Sequence, residues 1–123
     1  MRSLLIAGAG GFVGTILRYL LNNLIYKSLD YPVFPAGTAT INILGCFFIG
    51  FIASLAESRI SFSPDIRIFI QIGILGGFTT FSTFGYESFT LLKDGQFMLG
   101  IGNIFLQVFI GLIAVLLGYY LGQ

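Results

Sequence analysis

Four long apolar runs constrain this chain more than any other feature of its sequence. They cover about residues 4–25, 34–56, 68–92 and 97–121, and each is close to the roughly 20 residues that a helix needs to cross a bilayer. Only 9% of the 123 residues are charged, against roughly 25% in ordinary soluble domains. The sequence therefore predicts an all-α membrane protein: a single domain over residues 1–123 with four transmembrane helices.

The first run has a second interpretation. Met1 and Arg2 precede an apolar stretch and small residues, an arrangement that also occurs in removable signal peptides. Because three further spans follow, the prediction of a multi-pass protein of the cell membrane holds under either interpretation.

Several chemistries are excluded by residue types that the chain lacks. It has no His and one Cys, so a zinc site built from those ligands and a Ser–His or Cys–His nucleophile pair are both impossible. The net charge of +1 gives no basic surface for nucleic acid. We therefore expect neither an enzyme nor a nucleic-acid partner.

Glycines recur at a spacing of four residues. The pairs are Gly10 and Gly14, Gly73 and Gly77, and Gly118 and Gly122. The first pair lies in a segment that resembles a dinucleotide-binding loop, but its spacing is one residue too long and no βαβ pattern follows. Small residues four apart let helix backbones approach closely in lipid, so these pairs predict helix packing.

The charges in the loops give almost no preferred orientation. The amino end and the second loop carry Arg2, Arg59 and Arg67, and the two loops on the other side carry Lys27 and Lys93. Membrane orientation normally follows a clear excess of Lys and Arg on one side. Either another signal sets the topology, or both orientations are inserted and opposite copies pair in an antiparallel dual-topology homodimer.

Two spans carry pairs of polar side chains on one helical face. Thr38 and Asn42 are four residues apart in the second span, and Asn103 and Gln107 are four apart in the fourth. Polar groups at membrane depth are costly and usually face the bundle interior or a water-filled path. Either pair is therefore predicted to line an ion pathway or to hydrogen-bond a neighbouring helix.

The third span predicts a helix that is broken at mid-membrane. Gly76 and Gly77 are adjacent, and glycine costs about 1 kcal/mol relative to alanine inside a helix. Four hydroxyl residues follow within seven positions: Thr79, Thr80, Ser82 and Thr83. Carbonyls freed by a break can hold a cation and freed N–H groups an anion. The alternative is a continuous helix whose hydroxyls bond their own backbone.

Four further residues of the spans invite functional interpretations. Phe81 and Phe84 are three apart, so both electropositive ring edges can line one face and attract a small anion; the ordinary alternative is that they face lipid or core. Arg18 either snorkels to the interface or raises the anion concentration at a pore mouth. Glu87 either gates or carries a proton, or caps the helix near the membrane edge.

These motifs resemble those of the small fluoride channels of the Fluc or CrcB family. The resemblance extends over the whole chain and rests on three segments: Gly10-Gly11-x-x-Gly14-x-x-x-Arg18-Tyr19, Gly37-Thr38-x-x-x-Asn42-x-x-Gly45-Cys46-Phe47, and Gly76-Gly77-Phe78-Thr79-Thr80-Phe81-Ser82-Thr83-Phe84. It implies an antiparallel dual-topology homodimer with two pores. The implied activity is passive fluoride export across the cytoplasmic membrane of a bacterium.

The resemblance also implies roles for particular residues. Phe81 and Phe84 match the ring-edge ligands, Asn42 matches the donor that meets the ion, and Thr38 matches part of the polar track. The carbonyls of Gly76 and Thr79 from both subunits match the ligands of a central structural sodium ion. Glu87 matches a carboxylate at the pore end.

Asn103 and Gln107 depart from the pattern of this family, and two other functions are alternatives to a fluoride channel. The better-known members carry Tyr and Ser where Asn103 and Gln107 align, so the track stays polar but its coordination differs. A small dual-topology proton-coupled exporter is the alternative, although such exporters depend on a carboxylate in the first span, which here contains Arg18 and no acid. An accessory subunit that only packs helices would not need a polar, broken third span.

Overall fold

The computed structural model describes residues 1–58 and 62–123, and this part of the chain is helical with no strand. Its helices are α1 (Arg2–Ser28), α2 (Ala36–Ser58), α3 (residues 64–78), α4 (Phe81–Lys93) and α5 (Phe97–Leu121). With α3 and α4 in one span, four stretches are long and apolar enough to cross a membrane. The predicted all-α, four-span architecture is therefore confirmed. Arg59, which enters the charge comparison, lies outside the described residues.

The turns between the spans follow ordinary local chemistry. Ser63 caps α3 by accepting a hydrogen bond from Ile66 N at 3.4 Å, and Pro64 occupies the first helical position, where its missing N–H costs nothing. Gly95 turns the chain between α4 and α5 with a φ of 79°, a conformation that glycine adopts without a steric penalty. These turns lie at the breaks that separate the apolar runs.

Glycines let α1 and α3 lie almost in backbone contact. A Cβ atom added at Gly73 would lie 2.7 Å from the Cα atom of Gly10, and one at Gly77 would lie 2.6 Å from the carbonyl oxygen of Gly11. Real Cβ atoms do not approach other atoms so closely, so a larger residue at Gly73 or Gly77 would force the helices apart. The predicted packing role of the paired glycines is confirmed here.

A second close interface joins α2 to α5. A Cβ atom at Gly118 would lie 3.0 Å from Phe51 N, and one at Gly122 would lie 2.7 Å from the Phe51 carbonyl oxygen. At one end of this pair of helices, the Tyr119 hydroxyl donates to Glu57 Oε2 at 2.7 Å. The glycine pair of the fourth span therefore packs α5 against α2, which confirms the predicted role in helix packing.

The third span breaks about midway between Pro64 and Lys93. Thr79 and Thr80 have extended backbones, with φ/ψ of −87°/157° and −152°/116°, so α3 ends at Phe78 and α4 starts at Phe81. The Thr80 hydroxyl caps the new helix by accepting from Thr83 N at 3.3 Å. The predicted break is present, and it separates two helices of one span.

Two stretches of the spans are wound as π-helix rather than α-helix. They are Ile68–Leu75 in α3 and Leu106–Ile110 in α5. A π-helical turn is wider than an α-helical one, and such turns occur frequently at functional sites. Both stretches face the break described above, since residues of each line the same groove.

Candidate functional site

Asn42 of α2 bridges the break in the third span. Its Oδ1 accepts a hydrogen bond from Thr80 N at 2.9 Å, and its Nδ2 donates to the Thr80 carbonyl at 3.1 Å. One side-chain amide thus satisfies both backbone groups of an extended residue that has no helical partners. Backbone polar groups at membrane depth need such partners because lipid supplies none, so Asn42 stabilises the break.

From Asn42 a continuous series of hydrogen bonds runs through α5 to α4. Asn42 Nδ2 donates to Gln107 Oε1 at 2.7 Å, and Gln107 Nε2 donates to Asn103 Oδ1 at 2.8 Å. Asn103 Nδ2 donates to Ser88 Oγ at 2.9 Å, and Ser88 Oγ donates to the Phe84 carbonyl at 2.8 Å. We call Asn42, Gln107, Asn103 and Ser88 the amide relay; each member donates to the next, so the relay has a single direction.

The members of the amide relay differ in how deeply they are buried. Asn103 is 0% exposed and Gln107 is 9% exposed. Asn42 and Gln107 line a groove, whereas Asn103 and Ser88 lie behind it. The predicted polar pair of the fourth span therefore divides: Gln107 lines the groove, and Asn103 lies in the core, where it bonds Ser88 of a neighbouring helix.

The groove has a volume of about 340 Å³ and opens beside the break. None of the described residues that line it carries a formal charge. They are Asn42, Gly45, Cys46, Ile49, Gln71, Leu75, Gly76, Thr79, Thr80, Phe81, Phe84, Gln107 and Val108. An ion in this groove would therefore be held by hydrogen-bond donors, carbonyl dipoles and ring edges rather than by an opposite charge.

Phe81 and Phe84 both reach the groove but differ in burial. Their ring centroids are 5.5 Å apart with an interplanar angle of 56°, so the two rings do share one face, as their spacing predicts. Phe84 is only 8% exposed, whereas Phe81 is 83% exposed in the single chain. One ring is therefore fixed by the protein, and the other is free to contact a second molecule or lipid.

The hydroxyls next to the phenylalanines form a compact cluster. The Thr80 hydroxyl donates to Thr83 Oγ1 at 3.0 Å and lies 3.3 Å from Ser82 Oγ. Thr79 points its hydroxyl back to the Leu75 carbonyl at 2.9 Å, where it bonds its own helix. The cluster of Thr80, Ser82 and Thr83 therefore continues the polar surface from the break along the first turn of α4.

Thr38 and Glu87 meet away from the groove. Thr38 is buried, and its hydroxyl donates to Glu87 Oε1 at 2.8 Å. The other carboxylate oxygen, Glu87 Oε2, is buried without a hydrogen-bond partner among the described residues. Thr38 is thus placed with the carboxylate rather than with the groove.

Of the remaining predicted residues, Arg18 lies outside the groove and the two proposed sodium ligands line it. Arg18 is half-buried on α1 and is not among the described residues that line the groove. Gly76 and Thr79, the predicted sodium ligands, both line it. The described part of the chain contains no cluster of three or more His, Cys, Asp or Glu residues, so a metal ion here would depend on backbone carbonyls or on the oxygens of amide and hydroxyl side chains.

Two residues of the site, Ser88 and Gln71, were not predicted from the sequence. Ser88 ends the amide relay, and its spacing of four from Phe84 was a usable signal because a serine hydroxyl commonly bonds the carbonyl four residues earlier. Gln71 lies in an apolar stretch eight residues before the break and lines the groove. Its position as a polar residue at membrane depth was the signal that could have found it.

The fold and the groove define a class of protein: a small multi-pass protein of the cell membrane whose third span is interrupted beside a neutral polar groove. The family model described as CrcB-like protein, Camphor Resistance (CrcB), matches residues 5–119. The chain belongs to this family, as its motifs indicated.

Similar proteins are matched over almost their whole length. The fluoride-specific ion channel FluC 3 of Methanosarcina barkeri is 48% identical over 118 residues, which are 96% of this chain and 88% of the relative. The fluoride-specific ion channel FluC of Dehalococcoides mccartyi is 43% identical over 123 residues, 100% of this chain and 94% of the relative. That of Campylobacter jejuni is 44% identical over 119 residues, 97% and 96% of the two chains.

Proposed function

We propose that this chain is a fluoride channel that conducts the ion passively across the cell membrane. The observation that carries the proposal is the uncharged groove beside the helix break, lined by amides, hydroxyls and phenylalanine rings. The names of the relatives as fluoride-specific ion channels support the same activity. An ion channel is not an enzyme, so no catalytic residue is assigned.

The chemistry of the groove suits a small anion that accepts hydrogen bonds strongly. Fluoride leaving water needs replacement donors, and the edge of Phe84 is of that kind. Asn42 supplies a donor when it exchanges its bond to Gln107 for one to the ion, and Thr80 does so when it exchanges its bond to Thr83. A fixed positive charge in the groove would bind the anion too firmly for release, and conduction requires binding that is favourable but weak. Neutral donors meet both conditions.

We assign the ion pathway to residues that carry such donors or ring edges. They are Asn42, Phe81, Phe84, Thr38, Thr80, Ser82, Thr83, Asn103 and Gln107. Thr38 and Asn103 lie behind the groove, and their proposed part is to hold Glu87 and Gln107 by hydrogen bonds rather than to touch the ion. Within this set, the exposed hydroxyls of Ser82 and Thr83 extend the route beyond the groove along α4. Arg18 and Glu87 are proposed for the pore mouth or its gating.

The working unit is proposed to be an antiparallel dual-topology homodimer with two pores. The nearly equal numbers of basic residues on the two sides support it, since they favour neither orientation. The exposure of Phe81 supports it too, because a proposed ion ligand that is 83% exposed in one chain needs a second copy to enclose the ion.

A structural sodium ion is proposed at the dimer interface, held by the carbonyls of Gly76 and Thr79 from both copies. Both carbonyls lose the donor that a continuous helix would provide: Thr80 N donates to Asn42 instead, and Thr83 N donates to the Thr80 hydroxyl. Neutral carbonyl oxygens at a helix C-terminus fit a hard cation. When bound, sodium would supply positive charge between the two breaks.

The test is efflux from liposomes that contain the purified full-length chain, with an ionophore balancing the charge. We expect fast fluoride efflux at a fluoride electrode and none at a chloride electrode. Absence of fluoride efflux from a folded dimer would overturn the proposal. Fluoride efflux that requires a proton gradient would instead indicate the small proton-coupled exporter, for which Glu87 is a carboxylate within the third span.

A further inference from the structure

Gln71 is a polar side chain that lines the groove but has no role in the ion pathway proposed above. It lies in the π-helical stretch Ile68–Leu75 of α3, is half-buried, and lines the groove together with the break. A side-chain amide at membrane depth is costly unless it meets a partner. Within residues 1–58 and 62–123, the Gln71 amide makes no hydrogen bond.

The two π-helical stretches place one glutamine each in the same groove. Leu106–Ile110 contains Gln107, and Ile68–Leu75 contains Gln71. Gln107 is bonded at both ends of its amide, to Asn42 and to Asn103, whereas Gln71 faces the groove with its amide unpaired. The two wide turns thus present one amide that is bonded through both its oxygen and its nitrogen and one that makes no bond within the described part of the chain.

The other donors of the groove are largely committed to the protein. Asn42 Nδ2 has two hydrogens, which go to the Thr80 carbonyl and to Gln107 Oε1. The Thr79 hydroxyl donates to a backbone carbonyl and the Thr80 hydroxyl to Thr83. An amide nitrogen offers two donors, so Gln107 keeps one after its bond to Asn103. An anion that enters this groove therefore finds few free N–H groups.

We propose that Gln71 is an anion ligand of the groove, whose amide N–H groups replace part of the hydration shell of the conducted ion. This inference rests on the proposed fluoride function. Gln71 would act from α3, on the side of the break opposite to the hydroxyl cluster of α4. It would leave the bonds of Asn42 that stabilise the break intact while the ion passes.

The test compares variants of the full-length chain in liposomes at fluoride concentrations below half-saturation. Gln71→Leu keeps the approximate size and removes the donors; Gln71→Glu keeps the shape and puts a carboxylate in an uncharged groove. A hydrogen bond to a charged group corresponds to roughly tenfold or more in binding. We therefore expect the fluoride flux of Gln71→Leu to fall by about tenfold, with the half-saturating concentration raised, and Gln71→Glu to lose more.

Gln96→Leu is the matched control, because it makes the same chemical change outside the groove and should leave the flux unchanged. Unaltered flux and half-saturation in Gln71→Leu would overturn the role of Gln71, while a conducting wild type would leave the proposed function standing. A wild type that does not conduct would overturn both. If flux falls only together with loss of the dimer on size-exclusion chromatography, Gln71 is a packing residue and the inference is wrong.

Discussion

Replacing Asn103 with leucine tests whether the amide relay stabilises the fold. Leucine has a similar volume but neither accepts nor donates, so Asn103→Leu removes the bond from Gln107 Nε2 at 2.8 Å and the bond to Ser88 Oγ at 2.9 Å. Because Asn103 is 0% exposed, no water replaces these partners. The bond from Ser88 to the Phe84 carbonyl is left in place.

The expected loss follows from the two bonds and from what their removal leaves behind. Side-chain hydrogen bonds within membrane proteins average about 0.6 kcal/mol each, which gives about 1 kcal/mol for the pair. Leaving the Gln107 amide without its acceptor adds a penalty for a buried donor, which brings the upper value to about 3 kcal/mol. We therefore expect the free energy of unfolding to fall by about 1–3 kcal/mol.

The assay is equilibrium unfolding of the purified protein in detergent. Ile104→Leu is the control, since it places leucine at the neighbouring position of α5 on an exposed face and should change stability little. A free energy of unfolding for Asn103→Leu within error of the control would refute the reasoning.

A double-mutant cycle with Gln107→Leu sharpens the test. In the double variant the amide that Asn103→Leu leaves without an acceptor is itself removed. We therefore expect the double variant to be less destabilised than the sum of the single variants, by about 0.5–1.5 kcal/mol. Additive losses would show that the two amides do not act through their mutual bond.

Four further outcomes are expected. Gly10→Ala should destabilise the protein strongly, because its Cβ would lie 2.8 Å from the Gly73 backbone, whereas Gly8→Ala, with open space around it, should be neutral or slightly stabilising in thermal unfolding. Phe81→Ile combined with Phe84→Ile should abolish fluoride efflux while the protein still elutes as folded; unchanged efflux would remove the ring-edge mechanism. A cysteine placed at Gln123, in a background whose native cysteine is replaced, should be labelled from both sides of the membrane. Labelling from one side alone would contradict dual topology. Because three successive members of the amide relay are carboxamides, which do not pass protons, liposomes that contain the protein should leak protons no faster than protein-free liposomes.

The sequence predicted the spans and the break because both depend on local properties. Length and hydropathy locate a membrane helix, and the run from Gly76 to Thr83 weakens a helix at that place whatever surrounds it. The side-chain amide that bridges the break was not predicted as a structural element. Asn42 was interpreted as an ion donor or an interhelical bond, and choosing between these needs the distance to Thr80, which spacing within one helix does not contain.

The burial of single residues was harder to predict, because it depends on contacts between helices that the sequence of one helix does not show. Phe81 and Phe84 look equivalent in the sequence, yet one is exposed and the other buried, because the rotation of α4 against α5 sets their environment. Asn103 was predicted together with Gln107, but its partner Ser88 belongs to another span. The π-helical winding around Gln71 and Gln107 was also missed, since the apolar periodicity of a span does not distinguish it from α-helix.

The amide relay has a consequence for the electrical insulation of the membrane. A row of water molecules or carboxyl groups passes protons by exchanging each covalent hydrogen with its neighbour. Three successive members of the relay, Asn42, Gln107 and Asn103, are carboxamides, whose N–H groups do not ionise at physiological pH and whose carbonyls do not keep a proton. The hydrogen bonds between these amides therefore fix the orientation of the side chains without passing protons, so the relay itself gives protons no route across the membrane.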